Sequence, residues 1–462
     1  MRLSAATVGR LAPEVERFAY DRQLQKPGIV HFGIGAFHRA HQAWYTDRAM
    51  DCGDRDWAIF GVSLRSPEVA RQMNPQDGLY TLTERSAAGD ATRLIGAVAK
   101  VIVASEQTEA VIAALAAPTT SIASLTITEK GYCRAADGSL DPALASESSV
   151  YRYLAAGLRR RREASLRGLT LLSCDNLADN GTQTARLMGE YLERHDPTLA
   201  TWFADECTCP ATMVDRIVPA TTAADRDRLA DRIGLRDDAA VITEPFTQWV
   251  MEDRFAGPRP RWEAVGAELV GDVAAYENAK LRLLNGAHSA LAYLGLERGH
   301  TFVHEAVADP GLRILIERLM REEALPTLSA APGQDLSAYI DALLARFANP
   351  ALEHRLIQIA MDGSQKIPQR WLATLADNQR RGRACPALLA ALAAWLRHVR
   401  GDNVARWGLV DDPLAPALAT AWQGGDPAAA LFSAQGQFAD IWTMSDDAHA
   451  VLAADQGDRQ PS

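Results

Sequence analysis

The sequence predicts an α/β chain in two parts: a doubly wound parallel sheet at the N-terminal end, followed by a mostly α-helical C-terminal domain. Three observations carry this reading. Five short apolar, β-branched runs alternate with amphipathic helical patterns between residues 29 and 174. A pair of glycines directly follows the first of those runs. Beyond residue 272 the strand patterns fade, and long segments of 3.6-residue period take over. Strand–helix alternation with near-continuous apolar strands implies parallel pairing, with helices covering both faces of the sheet.

The strands are read in order. "IVHFGIG" (29–35) is a strand entering a glycine turn. "WAIFGVSL" (57–64), "KVIVAS" (100–105), "SIASLTIT" (121–128) and "LTLLSC" (169–174) are the others. "EQTEAVIAALAA" (106–117) and "SVYRYLAAGLRRRREASL" (149–166) are helices between them. The later part holds helical segments at 276–295, 310–324, 335–347 and 385–400, with "SAAPGQDLS" (329–337) as the clearest loop. The expected domains are 1–271, built on the parallel sheet, and 272–462, the helical unit. The tail after 446 is polar and is expected to fray.

Composition narrows the class. A 48% hydrophobic content in 462 residues suits a globular protein with a large core. The net charge of −10, with both signs mixed along the chain, argues against a nucleic-acid partner. It leaves room for a small anionic substrate held by a few local cations. Of six cysteines only Cys207 and Cys209 are close, as C-x-C, which is no zinc-site spacing, so reduced thiols and no metal are expected. The first twenty residues have no apolar core of a signal peptide, and the longest apolar run, 385–396, is too short to span a bilayer. The expectation is a cytoplasmic chain with no membrane partner, a monomer or weak homo-oligomer.

Gly33 and Gly35 stand where a strand gives way to a helix. Such a turn brings backbone N–H groups and a helix N-terminus to a pyrophosphate, as in a Rossmann-type fold. The third glycine of G-x-G-x-x-G is absent, because His38 occupies its place. Gly33, Gly35, Phe37, His38 and Arg39 form the candidate cofactor turn. His38, Arg39 and His41 equally suit a helix cap. The acid expected after the second strand, for the adenosine ribose, is Glu68. Arg65 beside it would accept a 2′-phosphate, so NAD is expected and NADP stays open.

"YENAKLRLLNGAHSALAYLG" (276–295) poses the central question, because Lys280, Asn285 and His288 interrupt an apolar helix. On an α-helix they fall at about 0°, 140° and 80°, with a rise of about 12 Å from Lys280 to His288. Three polar groups on one side of a core helix suit a polyol-sized ligand. A buried lysine is rare unless paired or functional, and desolvation disfavours its charged form, which suits a general base. Tyr276 and Lys280 also form Y-x-x-x-K, the spacing of short-chain dehydrogenases, where tyrosine is the acid. Those enzymes keep the pair inside the Rossmann unit, whereas here it lies beyond it.

"IVHFGIGAFHRAHQAWYTD", "SLTITEKGYC", "LSCDN", "MVDRIVPA", "EPFTQWVMED" and "KLRLLNGAHSALAYLG" together resemble the polyol-specific long-chain dehydrogenases, the mannitol 2-dehydrogenase and fructuronate reductase family. The resemblance runs from about residue 28 to 370. It implies a metal-free, NAD(P)-dependent oxidoreductase acting on CH–OH groups, with a Rossmann domain and a helical domain. The family pattern K-x-x-x-x-N-x-x-H falls on Lys280, Asn285 and His288. Lys280 is then the acid/base, Asn176 and Asn285 donate to the reacting oxygen, His288 orients substrate, and Glu129 stands near the proton path and the cofactor. "EKGY", "MDGSQKIPQR" and Gln358 resemble fructuronate reductases, which interconvert fructuronate and D-mannonate, with Lys366 and Arg370 as candidates for the carboxylate. "LAPEVERFAYDRQ" and "GVSLRS" are more like mannitol dehydrogenases, so a polyol dehydrogenase for fructose/mannitol, arabinitol or sorbitol is the alternative. A non-catalytic NAD-binding sensor on the same fold is the second alternative; the Lys280/Asn285/His288 set argues against it.

Overall fold

A computed structural model describes residues 1–135, 137–145 and 149–457. The chain divides into two compact units, one of Met1–Ala274 and one from Ala275 onward.

In the first unit the strands are β1 (Pro27–Phe32), β2 (Ala58–Ser63), β3 (Tyr80–Ser86), β4 (Gly89–Ile95), β5 (Val98–Val103), β6 (Ile122–Leu125) and β7 (Thr170–Ser173). The five runs read from sequence are β1, β2, β5, β6 and β7. They form one parallel sheet in the order β5-β2-β1-β6-β7. Strand alternation explains its burial on both faces. Val30, Phe32, Val62 and Leu125 pack with Val111, Leu115, Leu154 and Leu158 of the helices Thr108–Ala116 and Val150–Glu163. Ile29, Ile59, Val101 and Ile122 pack on the opposite side with Ala43, Met50 and Met73. A Rossmann-like parallel sheet therefore leads the chain, as expected.

Smaller sheets escaped the sequence reading. β3 and β4 form an antiparallel hairpin, and β9 (Val241–Thr243) adds to β3 in parallel. β8 (Thr212–Asp215), β10 (Gln248–Glu252) and β11 (Glu268–Val270) form another sheet. These strands are short and mix charged with apolar residues, so no run stands out.

The second unit is helical. Its centre is Gly286–Glu297, in which every residue from Gly286 to Leu296 is buried; a helix that is apolar all round belongs inside a core. Helix ends follow capping chemistry. Asp335 accepts from the Ala338 N–H at 2.9 Å to start Leu336–Phe347. Pro386 opens the helix Pro386–Arg400, which ends at Gly401 with φ of 103°. The buried Glu323 carboxylate takes the amides of Ala387 and Leu388, each at 2.8 Å. The tail corrects an expectation. Asp446–Gly457 is a helix, and Ala448 and Leu452 join the core, so its i, i+4 apolar pair outweighs its polar composition. The last five residues of the expected frayed tail lie outside the described residues. Among the described residues no helix is long and apolar enough to cross a membrane.

Candidate active site: a glycine turn and a π-helical turn

In the first unit the carboxyl ends of the parallel strands collect most of the predicted residues. β1 ends at Phe32, and strand order reverses between β1 and β6. Open α/β sheets bind ligands at such a switch point. Gly33 follows with φ of +95°, and a Cβ there would lie 1.9 Å from the Thr126 carbonyl oxygen. The fold itself requires this glycine. Gly35 is different: its φ is −77°, it is exposed, and a Cβ would meet nothing nearer than 3.8 Å. The protein has left space over the turn that its own packing does not need. The Gly33 and Gly35 N–H groups are given to the Val62 and Gly33 carbonyls, so the open cradle fits a pyrophosphate lying over Gly35 at the start of the helix Ala36–Ala40.

Glu129, in the short helix Thr128–Gly131 after β6, and Asn176, in the loop after β7, are both exposed. Asp175 ties these segments together. Its carboxylate accepts from the N–H groups of Ile127 and Thr128, each at 2.9 Å, and from the Tyr132 hydroxyl at 2.9 Å. Burial raises the Asp175 pKa, and those three donors oppose the rise. Asp175 and Tyr132 were not predicted as site residues, although "SCDN" and "EKGY" contain them. Their role depends on which loops meet, which a sequence does not display.

Other parts of the predicted turn have different roles. Phe37 stacks on His41 with centroids 5.1 Å apart. His38 is fully buried and stacks on His31 at 3.4 Å. Burial, then the neighbouring His31, Arg39 and His41, holds its pKa well below the usual imidazole range. Arg39 is also buried; its guanidinium donates to the Ala239 and Gly35 carbonyls, and the Tyr80 hydroxyl donates to the Arg39 carbonyl at 2.6 Å. His38 and Arg39 therefore lie in the unit's interior, and both ring nitrogens of His38 are without a hydrogen-bond partner among the described residues. Glu68 is exposed, opens the helix Glu68–Met73 beyond β2, and accepts from Gln72 Nε2 at 2.8 Å.

In the second unit, Lys280–Asn285 is a π-helical turn between the α-helical stretches Ala274–Ala279 and Gly286–Glu297. This changes the expected angles. In an i→i+5 turn, residues five apart share a side of the axis as residues four apart do in an α-helix, so Asn285 turns to the Lys280 side instead of standing about 140° away. The insertion tightens the grouping that the sequence suggested. Lys280, Asn285 and His288 are buried, at 8%, 8% and 7% exposure. Asn285 Nδ2 and His288 Nε2 are buried without a hydrogen-bond partner among the described residues. Orphaned polar atoms of this kind are uncommon in a finished core and suit an absent ligand.

The π-turn is held by a second one, Pro368–Leu372, packed against it. Trp371 Nε1 donates to the Gly286 carbonyl at 3.0 Å. Arg370 Nη1 donates to Ser289 Oγ at 2.8 Å and to the Asn285 carbonyl at 3.4 Å. Widening a helix frees carbonyls from their i+4 partners, and these side chains meet them. Lys366 donates its ammonium to the carbonyls of Met361 and Ile359. His288 packs beside Phe347 and His354, with centroids at 4.6 and 5.4 Å. Its pKa lies well below the usual range, from burial first and then from His354, Arg346 and Arg370. The ring is neutral at neutral pH. Among the described residues, no group of three or more His, Cys, Asp or Glu could hold a metal ion.

Comparison with known proteins identifies the family. Residues 27–264 match the family described as the mannitol dehydrogenase Rossmann domain, and residues 272–454 match the mannitol dehydrogenase C-terminal domain. The D-mannonate oxidoreductase of Escherichia coli (strain K12) is 40% identical over 464 residues, covering 96% of this chain and 95% of that protein. A mannitol 2-dehydrogenase of Pyricularia oryzae is 40% identical over 427 residues, covering 88% and 85%. The solved Pseudomonas fluorescens mannitol 2-dehydrogenase, a ternary complex with NAD and D-mannitol, superposes with a TM-score of 0.86 at 34% identity, covering 99% and 96%. A parallel sheet leading a helical unit, matched end to end by these relatives, makes the chain an oxidoreductase of the mannitol dehydrogenase family.

Proposed function

We propose that the protein interconverts a keto sugar acid and its hydroxy acid, fructuronate and D-mannonate, with NAD as the hydride carrier. The observation that carries the reading is the buried set Lys280, Asn285 and His288 on a π-turn, with Asn285 Nδ2 and His288 Nε2 lacking protein partners. The Gly33–Gly35 turn, with its open space over Gly35, would hold the pyrophosphate, and Glu68 the adenosine ribose. When bound, nicotinamide carries the hydride to or from the substrate carbon. Lys280 takes the hydroxyl proton during oxidation and returns it during reduction. Asn285 Nδ2 donates to the oxygen on which charge develops, and Asn176 is the second donor that the family resemblance implies. Neutral His288 holds a further substrate hydroxyl and adds no charge beside Lys280.

The sugar-acid reading is supported by "QKIPQR" and by Gln358, which resemble fructuronate reductases, and by the 40% identity to D-mannonate oxidoreductase. Lys366 and Arg370 are the cations proposed for the carboxylate. The second reading, a mannitol 2-dehydrogenase, is favoured by equal identity to the Pyricularia enzyme and by the likeness to the complex with D-mannitol. Turnover of NADH with fructuronate and with fructose separates them. A kcat/KM higher for fructuronate supports the sugar acid. A preference for fructose rejects it in favour of the polyol, and no turnover on any ketose or keto acid favours a binding protein.

A further inference from the structure

The glycine turn rests on a buried polar chain that no part of the catalytic reading uses. His31 is the last residue but one of β1 and pairs in register with Ser124 of β6, across the point where strand order reverses. Its Nδ1 is 2.8 Å from Ser124 Oγ, and Ser124 Oγ is 2.8 Å from the Gln42 amide. Its Nε2 is 2.8 Å from Thr126 Oγ1 and 3.2 Å from the Gly33 carbonyl. Thr126 Oγ1 donates to that same carbonyl at 2.6 Å. His31, Ser124 and Gln42 are fully or almost fully buried.

Proton counting fixes the tautomer. Thr126 has one hydroxyl proton, and the short contact to the Gly33 carbonyl uses it. His31 Nε2 must then carry the proton it shares with Thr126. Burial pushes the His31 pKa down to about 3, so the ring is neutral and Nδ1 is bare. Ser124 Oγ, which donates to Gln42 Oε1 at 2.8 Å, is the hydroxyl that faces the bare Nδ1. At the turn end the donors run from His31 Nε2 through Thr126 Oγ1 to the Gly33 carbonyl.

We propose that His31 is a positioning residue of the cofactor turn: its Nε2–H holds Thr126 and the Gly33 carbonyl in the place from which the turn receives a dinucleotide. The inference rests on the nicotinamide reading above. The two ends of the chain separate positioning from mere support of the fold. Thr126→Val and His31→Leu break the end that holds the turn. Ser124→Ala breaks the far end, and Thr126 still demands the Nε2–H tautomer. One neutral hydrogen bond corresponds to about 3- to 10-fold in affinity.

The test measures the NADH dissociation constant, thermal midpoint and steady-state kinetics of the full chain. Thr126→Val and His31→Leu should weaken NADH about 3- to 10-fold, leaving kcat at saturating NADH and the KM for the sugar within about twofold. Ser124→Ala should lower the thermal midpoint and bind NADH within about twofold of wild type. If His31→Leu does not fold, Thr126→Val alone decides. A wild type that binds NADH, with variants that bind equally well or all lose affinity in step with stability, overturns the positioning role alone. A wild type that binds no NADH overturns the cofactor reading and this inference with it.

Discussion

Gly33 and Gly35 are glycines for different reasons. At Gly33 the backbone is left-handed and Thr126 leaves no room for a Cβ. Gly33→Ala should therefore destabilise the first unit by about 2 kcal/mol or more, seen as a lower midpoint in chemical denaturation. Gly35 has ordinary dihedrals and open space. Gly35→Val should keep native circular dichroism and lose NADH affinity by a large factor, because its side chain fills the cradle. Unchanged NADH binding would make Gly35 a structural glycine only. Both residues were legible in the sequence, since glycines after an apolar strand mark that turn. The burial of His38 and Arg39 was not. A polar residue beside a glycine turn reads the same whether it faces outward or the core, and only the fold supplies the Ala239 carbonyl and the His31 ring that claim them.

At the level of elements, the π-turn gives Lys280, Asn285 and His288 their shared face. The six residues Lys280–Asn285 look like any Leu-rich helix in sequence, because a one-residue widening leaves the apolar period almost unchanged. What betrays it is its partner: Trp371 and Arg370 reach the carbonyls around Gly286. Trp371→Phe keeps one aromatic ring, loses the donor and opens a gap in a fully buried site, so it should cost about 2 kcal/mol or more of stability and lower kcat by loosening the π-turn. An unaltered kcat would mean that the turn holds without it. Arg370 has two proposed roles, bracing Ser289 and binding a substrate carboxylate. Arg370→Met should reduce fructuronate turnover about 10- to 150-fold and fructose turnover less. Equal losses on both substrates would leave Arg370 as a brace alone.

Across the whole molecule, buried imidazoles set the response to acid. His31 and His38 in the first unit, and His288, His354 and His398 in the second, all have lowered pKa values, about 3 for His31 and about 4 for His398. Unfolded, each takes a proton near pH 6.5; folded, it does not. The unfolded state then binds more protons, so stability is full above about pH 6.5 and falls as pH drops towards about 4, by about 1.4 kcal/mol per pH unit for each histidine. The buried carboxyls Asp47, Asp175 and Glu323, raised by burial, oppose this at the acid end. Unfolding midpoints measured between pH 7.5 and 5 should show the fall, and a flat profile would contradict neutral buried rings. The large parallel sheet and the helical unit were legible because long apolar periods dominate them. The β3–β4 hairpin and the docked C-terminal helix were not, because their few apolar residues bury only in company. The account as a whole turns on Lys280. Reduction of keto sugar by NADH should fall about 10²–10⁴-fold or more in kcat for Lys280→Ala with NADH binding intact, and stay near wild type for Tyr276→Phe. Loss of activity in Tyr276→Phe with Lys280→Ala still active would contradict it.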